Sequence, residues 1–285
     1  MITLILLFAC ILSFTWGISL SRQLKISKIE RKEEGLVLRQ ERLDVGRDFV
    51  ANASHELRTP ITIIKGFLET MRDMPEISQD LFSEILKKML KSCERMESLV
   101  KSLLLLADLE NCPKGGFEDC DLVQMIDEVS YNLISIHQEA TIETYLKDSS
   151  IRIWANLDLL ELALRNLLEN AVKYSKGAAR IAIRLEVGEQ TCKIKIKDEG
   201  IGIPEKDIPH LFDRFYTVDK THSRRLGGAG LGLSIVKKIV ENHRGAISVF
   251  SKHHEWTEFV MELPLASHLS LAEMYATYRE PQVVT

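Results

Sequence analysis

A histidine in the first quarter of the chain has neighbours that suit nucleophilic chemistry. His55 is followed by Glu56, and Thr59 lies one helical turn further on. Apolar residues recur around it at steps of three and four, as on the inward face of a helix, at Phe49, Ala53, Leu57, Ile61, Ile64, Leu68 and Met71. His55 lies two positions from Ala53 and two from Leu57, so it is expected to point away from the core. An exposed imidazole beside a carboxylate can act as a nucleophile.

A histidine on a helix is more often a surface or core-edge residue without a chemical role. The adjacent Glu56 and the following Pro60 argue against that interpretation, because neither is needed for packing. Pro60 cannot donate a hydrogen bond to the carbonyl of Glu56, so the helix is expected to bend just after His55. A chemical role also requires a source of the transferred group elsewhere in the chain.

Four later segments carry residues suited to a nucleotide, and the first, residues 166–174, is NLLENAVKY on a predicted helix. Asn166 and Asn170 lie one turn apart on one face, with Lys173 and Tyr174 close by. Amide oxygens suit Mg²⁺, which keeps most of its waters and bridges phosphates, so Asn170 is the predicted metal ligand, with Asn166 assisting. A solvated surface is the alternative, weakened because asparagine is a mediocre helix former.

The second segment, residues 198–203, is DEGIGI and directly follows a predicted strand. The carboxylate of Asp198 can accept a hydrogen bond from an adenine amino group. Gly200 and Gly202 let the backbone approach the base, and Ile203 completes the segment. A plain turn is the alternative interpretation.

The third segment, residues 212–216, is FDRFY, an aromatic cluster with one cation. Arg214 and Phe215 are its candidate nucleotide contacts. Packing alone would also explain this cluster, which makes it the weakest of the four.

The fourth segment, residues 227–233, is GGAGLGL and leads into a helix predicted to run to about His243. A glycine loop at a helix amino terminus can cradle phosphates, here through Gly228, Gly230, Leu231, Gly232 and Leu233. It is not a Walker loop, since no G-K-S/T follows, and its context does not fit a dinucleotide fingerprint. Three basic residues between the third and fourth segments are predicted to form a mobile lid over the triphosphate: Lys220, Arg224 and Arg225.

Composition narrows the class of protein. The 285 residues allow about two domains, and the net charge of −4 with no basic, aromatic-interleaved stripe predicts no nucleic-acid partner. The five cysteines are scattered without a C-x-x-C pair, which favours reduced packing cysteines over a disulfide or zinc framework.

The start of the chain is predicted to anchor it in a membrane. Residues 2–20 carry no charge and are long enough to span about 30 Å of lipid hydrocarbon. A cleaved signal peptide fits less well, because no basic residue precedes the run and no A-x-A-like site closes it. Basic residues follow it, so a single span over 1–21 is expected, with the carboxyl side in the cytoplasm. Residues 22–48 are predicted to be a helical linker, either solvated or a short coiled coil.

A helical hairpin is predicted over residues 49–111. Met74 to Ser78 form its turn, Ser78 or Asp80 caps the second helix, and that helix ends before Asn111. A second apolar stripe consists of Phe82, Ile85, Met89, Cys93, Met96, Leu99, Leu103 and Leu106. Two such helices bury too little apolar surface alone, so a homodimeric four-helix bundle is expected.

Residues 112–265 change to mixed helix and strand, predicting an α+β domain with one helical layer on one face of a sheet. A helix is expected over Leu122 to His137, and short strands over Thr141 to Leu146 and Ile151 to Trp154. Longer alternating strands are expected over Arg180 to Val187, Thr191 to Lys197, Gly245 to Phe250 and Trp256 to Leu263. The tail, 266–285, has no readable motif.

These segments together resemble a known family. Residues 49–60, FVANASHELRTP, resemble the phosphoacceptor box of bacterial class I sensor histidine kinases. The four later segments are similar to the N, G1, F and G2 boxes of the GHKL ATPase superfamily, in order and spacing. The resemblance covers roughly residues 45–265 and is nearest to the phosphate-regulon type of sensor.

The resemblance implies an activity and its partners. ATP with Mg²⁺ would phosphorylate His55, helped by Glu56, and the phosphoryl group would pass to an aspartate of a response regulator receiver domain. Thr59 resembles the family's phosphatase threonine, and Asn166 stands where related hydrolases carry a glutamate. The protein would be a homodimer in the bacterial inner membrane, in contact with lipid through residues 2–20 and with its catalytic part in the cytoplasm. A GHKL-type ATP hydrolase and a catalytically silent dimeric scaffold are the alternatives.

Overall fold

The computed structural model describes residues 46–47, 49–74, 76–111, 115–146, 148–219 and 229–266. They fall into two compact units, one ending at Arg58 and the other beginning at Thr59. The predicted span, nearly all of the linker, the basic lid with Gly228, and the tail from residue 267 lie outside the described residues. Within the described ranges, no helix combines the length and apolar character that crossing a membrane requires.

Helix α1 covers residues 49–73 and remains helical through Pro60. The expected bend after His55 stays a prediction. Ala53 and Pro60 are buried, whereas two members of the predicted apolar stripe are more than half exposed, Ile61 at 54% and Leu68 at 52%. Within one chain, the buried face of α1 is therefore narrower than the predicted stripe.

Helix α2 runs from Gln79 to Glu110 and begins where predicted, because the side chain of Ser78 accepts a hydrogen bond from the backbone N–H of Leu81 (3.3 Å). Its buried residues follow a seven-residue repeat, completed by Leu109 at the end: Ile85, Ser92, Leu99 and Leu106. The prediction was right for the three apolar members of that repeat. Phe82 and Cys93 of the predicted stripe are exposed in the single chain, so their burial in the expected dimeric bundle stays a prediction.

The rest of the second unit is an α+β domain with two sheets. The smaller sheet pairs β1 (Phe117–Asp121) antiparallel with β3 (Arg152–Asn156). The larger has the order β2-β4-β5-β7-β6, from Thr141–Tyr145, Arg180–Val187, Thr191–Asp198, Trp256–Pro264 and Ala246–Lys252. In it, β2 is parallel to β4 and the other pairs are antiparallel. The helices are α3 (Leu122–Ile136), α4 (Leu157–Lys173) and α5 (Gly232–Asn242).

The core lies between the helices and one face of the larger sheet. On α4, Leu160, Leu164 and Leu167 have no exposed surface, and neither do Ile183 of β4 and Ile194 of β5. Every second residue of β5 is buried, so the alternation in its sequence correctly predicted a half-buried strand. The strands and helices whose bounds were predicted within residues 112–265 are all present, within two residues at their ends.

Strand β1 was missed because its sequence, FEDCD, does not alternate. Only Phe117 and Cys120 are buried, and they lie three residues apart. The strand is held by pairing rather than by its own pattern: Asp119 forms an ion pair with Arg152 of β3 (2.8 Å). Its last residue, Asp121, then caps α3 by accepting from the backbone N–H of Val123 (2.9 Å).

A buried histidine joins two helices of this domain. His243, only 4% exposed, directly follows α5. Its Nδ1 donates to the carbonyl of Ile239 (2.7 Å), and its Nε2 accepts from the backbone N–H of Asn156, which caps α4 (3.0 Å). Accepting at Nε2 requires a neutral ring, and burial lowers the pKa of His243. The imidazole is thus a structural connector in the domain.

Candidate functional site

The first candidate residues lie on α1. His55 is exposed, as its position two residues from Ala53 and from Leu57 predicted. Glu56 and Thr59 are half-buried, and all three residues take part in interactions. The segment therefore presents an imidazole to the surface, with a carboxylate next to it and a hydroxyl one turn away.

The later segments meet around a single cavity of about 1020 Å³ in the second unit. Its walls come from α4, the chain that follows β5, the start of α5 and the middle of α2. Of the predicted nucleotide contacts, the following line it: Asn166, Asn170, Lys173, Tyr174, Asp198, Gly202, Ile203, Gly230, Leu231, Gly232 and Leu233. Residues up to 67 positions apart in the sequence are thus brought together at one concave surface.

Asp198 lies at the end of β5 and is only 6% exposed. Its Oδ1 accepts a hydrogen bond from the backbone N–H of Gly200 (2.8 Å), and Thr257 of β7, also buried, is its partner across the sheet. Burial raises the pKa of Asp198 to about 6, although the hydrogen bond from Gly200 opposes the shift. A buried carboxylate at a cavity wall is suited to accept hydrogen bonds from a ligand that excludes water.

Gly200 itself does not line the cavity, but its backbone shapes the wall. A Cβ at Gly200 would lie 2.6 Å from Asp198 Oδ1 and 2.7 Å from the carbonyl oxygen of Tyr174. That same carbonyl accepts from the backbone N–H of Ile201 (3.0 Å). The absence of a side chain at Gly200 therefore lets the end of α4 and the end of β5 lie close together.

Asn166 and Gly232 bring α4 against the start of α5. The Nδ2 of Asn166 donates to the carbonyl of Leu162 (2.9 Å), one turn back on α4. A Cβ at Gly232 would lie 3.1 Å from Asn166 Oδ1, tighter than most such contacts. Glycine at this position lets the amino terminus of α5 approach the amide oxygen.

Lys173 lies half-buried in the last turn of α4, with its Nζ 5.2 Å from the ring centroid of Tyr174. Burial lowers the pKa of Lys173, and the positive charge of Arg95 on α2 lowers it further. The two cations belong to different walls of the cavity.

Phe215 of the aromatic segment does not line the cavity. It contacts Gly230 of the glycine segment instead. The backbone N–H of Phe215 donates to the carbonyl of Gly230 (2.9 Å), and a Cβ at Gly230 would lie 2.6 Å from Phe215 C. Arg214 forms an ion pair with Glu110 at the end of α2, outside the cavity lining. Gly228 lies outside the described residues. Nucleotide contacts by Gly200, Arg214, Phe215 and Gly228 stay predictions.

Several lining residues were not foreseen. Thr217, Thr257 and Phe259 gave no motif signal, because their position depends on how the sheet and the segment before residue 220 pack. Tyr216 belongs to the aromatic segment but was not among its predicted nucleotide contacts. The α2 residues that line the cavity were also not predicted. The periodicity of a helix identifies its polar face, but it does not show which distant part of the chain that face contacts.

The predicted magnesium site uses amide oxygens. Across the described residues, no group of three or more His, Cys, Asp and Glu side chains could hold a metal ion. Asn166 and Asn170, one turn apart on the cavity side of α4, are hard oxygen donors of the kind that binds a hydrated Mg²⁺ beside phosphates. The donor set fits the ion.

Two protein-family models match the chain. Residues 47–112 match the His Kinase A (phospho-acceptor) domain, and residues 155–267 match the histidine kinase-, DNA gyrase B- and HSP90-like ATPase domain. The matches fall on the helical hairpin that carries His55 and on most of the α+β domain. The chain belongs to the sensor histidine kinases of two-component systems.

Named relatives agree with this assignment. The signal transduction histidine-protein kinase ArlS of Staphylococcus haemolyticus is 36% identical over 221 residues, 77% of this chain and 49% of ArlS. The phosphate regulon sensor protein PhoR of Haemophilus influenzae is 32% identical over 222 residues, 78% of this chain and 52% of PhoR. The chain spans about half the length of these two relatives.

One solved structure extends the comparison to a complex. The histidine kinase ThkA, crystallised with the response regulator protein TrrA, matches with a TM-score of 0.65 and 26% identity. The match covers 81% of this chain and 65% of that chain. It supports the combination of hairpin and ATPase domain as one fold.

Proposed function

We propose that this chain is a protein-histidine kinase that transfers the γ-phosphoryl group of ATP to His55 and then to an aspartate of a response regulator. The observation that carries the proposal is an exposed histidine in the segment matched by the phospho-acceptor model, in a chain whose ATPase-matched domain has a cavity with a buried carboxylate. Neither feature alone requires a kinase. Together they provide an acceptor and a donor site.

In this proposal the cavity holds ATP by both ends. Asp198 accepts a hydrogen bond from the adenine amino group, in a place where burial excludes competing water. The phosphates lie against the backbone of Gly230 and Gly232 at the amino terminus of α5, whose N–H groups and dipole favour anions. Asn170, with Asn166, would hold Mg²⁺, which neutralises phosphate charge during transfer.

The chemical step needs an imidazole nitrogen with an available lone pair. That nitrogen of His55 attacks the γ-phosphorus, the bond from phosphorus to the bridging oxygen breaks, and ADP leaves with the electron pair. Glu56 takes or orients the proton on the other ring nitrogen. Alignment and charge neutralisation do most of the work, because phosphoryl transfer has a loose transition state.

The helical hairpin supports a homodimer. Apolar side chains on both helices are substantially exposed in one chain, including Val50 (63%), Leu68 (52%), Leu90 (54%) and Leu104 (62%). A second hairpin would cover them in a four-helix bundle. The uncharged stretch at 2–20 supports attachment to lipid, with the described domains on the cytoplasmic side.

The test is to incubate the full chain with γ-labelled ATP and Mg²⁺. A kinase acquires a protein-bound label that is acid-labile and base-stable, that His55→Gln abolishes, and that a receiver domain removes. An ATP hydrolase would release phosphate steadily without labelled protein. A silent scaffold would do neither, so either of these results would overturn the proposal.

A further inference from the structure

The hairpin of β6 and β7 holds the second nucleotide segment where that segment lines the cavity. The backbone N–H of His254, in the turn of the hairpin, donates to the carbonyl of Ile201 (2.6 Å). Two residues further along the segment, the backbone N–H of Ile203 donates to the Oγ of Ser251 (2.8 Å), near the end of β6. The first bond uses backbone groups alone, whereas the second depends on a side-chain hydroxyl.

The hydroxyl of Ser251 takes part in three hydrogen bonds. Besides accepting from Ile203, it donates to the carbonyl of Trp256 (2.8 Å) and lies 3.2 Å from the Oγ1 of Thr257. A hydroxyl has one proton, and a carbonyl oxygen can only accept, so the proton of Ser251 belongs to the bond with Trp256. The bond between the two hydroxyls therefore has Thr257 as its donor.

This direction decides what Thr257 can offer to a ligand. Thr257 is only 5% exposed and lines the cavity. With its proton directed to Ser251, its oxygen presents lone pairs alone. Thr257 is also the cross-strand partner of Asp198, so the two side chains lie next to each other on one face of the sheet. The cavity thus has two neighbouring acceptors at this end.

Two neighbouring acceptors suit an exocyclic amino group, which has two N–H donors, and disfavour an oxo group, which only accepts. We infer that Ser251 is a positioning residue for base selection, which acts by taking the proton of Thr257 and so keeping that hydroxyl an acceptor. The inference rests on the proposed nucleotide site. It assigns a role to a residue that lies in none of the four nucleotide segments and outside the cavity lining.

The test measures binding to the full chain by calorimetry with ADP and with IDP, its 6-oxo counterpart, each with Mg²⁺. The measurement is made at pH 8, where Asp198 is ionised. Ser251→Ala allows the hydroxyl of Thr257 to turn and donate to the 6-oxo group. We expect IDP to bind about threefold more tightly and ADP about threefold more weakly, as for the gain or loss of part of a neutral hydrogen bond. The preference for ADP should then fall about tenfold.

A second variant tests whether Ser251 acts through Thr257. Thr257→Val removes the hydroxyl and keeps the shape of the side chain. When Ser251→Ala is added to it, the preference for ADP should change by less than twofold, because no threonine proton remains to be directed.

The matched control is Ser248→Ala, which removes an exposed hydroxyl from the same strand, outside the cavity lining. It is expected to bind both nucleotides as the unaltered chain does. Ser251→Cys keeps the size of the side chain but hydrogen-bonds only weakly, so it replaces the alanine variant should that variant unfold. Thermal melting without ligand decides this.

The possible failures are distinguishable. Equal weakening of ADP and IDP in Ser251→Ala overturns the inference, since Ser251 would then only support the fold. An unchanged preference, while Asp198→Asn abolishes ADP binding, overturns the role of Ser251 and leaves the nucleotide site intact. A further loss of preference in the double variant overturns the action through Thr257. An unaltered chain that binds neither nucleotide overturns the proposed function and this inference together.

Discussion

The backbone N–H of Phe215 donates to the carbonyl oxygen of Gly230 over 2.9 Å, and both residues have positive φ, 61° and 72°. This bond holds the aromatic segment against the glycine segment at the cavity. Gly230→Ala is expected to weaken ATP binding at least tenfold, because a side chain there is strained by its φ and meets Phe215 C at 2.6 Å. Equilibrium binding measures the effect.

The control for that change is Gly177→Ala, where a Cβ would meet nothing within 4 Å. It should leave ATP affinity unchanged. If both variants bind equally well, the Phe215–Gly230 contact does not shape the nucleotide site.

The ionised carboxylate of Asp198 is expected to lower the stability of the fold while it is needed for ATP binding. Its pKa is raised to about 6 from 3.8, so the folded protein holds this proton more tightly than the unfolded chain. The contribution of protonated Asp198 to the free energy of unfolding is therefore fully present below about pH 4. It is lost as the pH rises towards 6, and a shift of this size corresponds to about 3 kcal/mol. Asp198→Asn should abolish ATP binding and raise the free energy of unfolding at pH 8, but not at pH 4. Denaturant titrations at both pH values provide the measurement; a destabilised variant at pH 8 would refute the prediction.

His243 is expected to make stability depend on pH in the opposite direction. Its pKa is lowered from 6.5, so the unfolded chain binds this proton more readily than the folded one. The contribution is fully present above pH 6.5 and is lost as pH falls below it. His243→Gln should cost about 1–2 kcal/mol at pH 8, from lost packing and hydrogen bonding, and should flatten the difference in stability between pH 8 and pH 5.5. A parallel pH profile in the variant and the unaltered chain would contradict the role of the neutral ring.

Two buried serines are expected to respond differently to alanine. Among the described residues, the Oγ of Ser130 is the buried side-chain polar atom without a hydrogen-bond partner, whereas Ser234 Oγ donates to the carbonyl of Leu231 (2.8 Å). Ser130→Ala is expected to be neutral or to stabilise by about 1 kcal/mol, and Ser234→Ala to destabilise by a similar amount. Thermal unfolding of both variants checks the pair. Equal destabilisation would mean that Ser130 has a partner after all.

Thr59 is expected to act on the regulator and not on ATP. It lies one turn after His55 on α1 and is half-buried. Thr59→Ala should leave the labelling of His55 unchanged and slow the loss of phosphate from a phosphorylated receiver domain severalfold, because the hydroxyl that we expect to aim the attacking water is removed. Time courses of both reactions with the same preparation measure this. Equal loss in the two reactions would assign Thr59 to folding or to transfer.

The fold was predictable where one residue pattern decides one element. The alternation in β5 identified that strand, because one of its faces lies in the core. Helices α4 and α5 were identified through the motifs they carry, the asparagine segment and the glycine segment. Strand β1 carries three acidic residues in five and depends on its partner β3, so its own sequence could not reveal it. The sequence of α2 shows which residues are apolar, but it does not show which of them are buried within one chain and which are left for a partner hairpin.

The sequence predicted the motifs of the candidate site but not the residues that form the other walls of the cavity. Asn170, Asp198 and Gly232 lie at one cavity because each motif has a spacing that fixes its place on an element. The α2 residues that line the cavity, such as Ser98 and Ser102, could not be identified from the sequence, since a polar residue on a charged helix carries no sign of which distant element it faces. Tyr216 lies in the aromatic segment, but its hydrogen bond, from the hydroxyl to Asp207 Oδ1 (2.6 Å), could not be assigned from the sequence.

The end of α2 is built into the ATPase domain. Leu109 has no exposed surface and its carbonyl accepts from Asn242 Nδ2 (2.9 Å), while Glu110 pairs with Arg214. These contacts fix the rotation of α2 about its own axis relative to the ATPase domain. Each residue inserted into α2 would rotate the helix before the insertion by about 100° relative to the ATPase domain, so this anchorage fixes which side of α2 faces that domain.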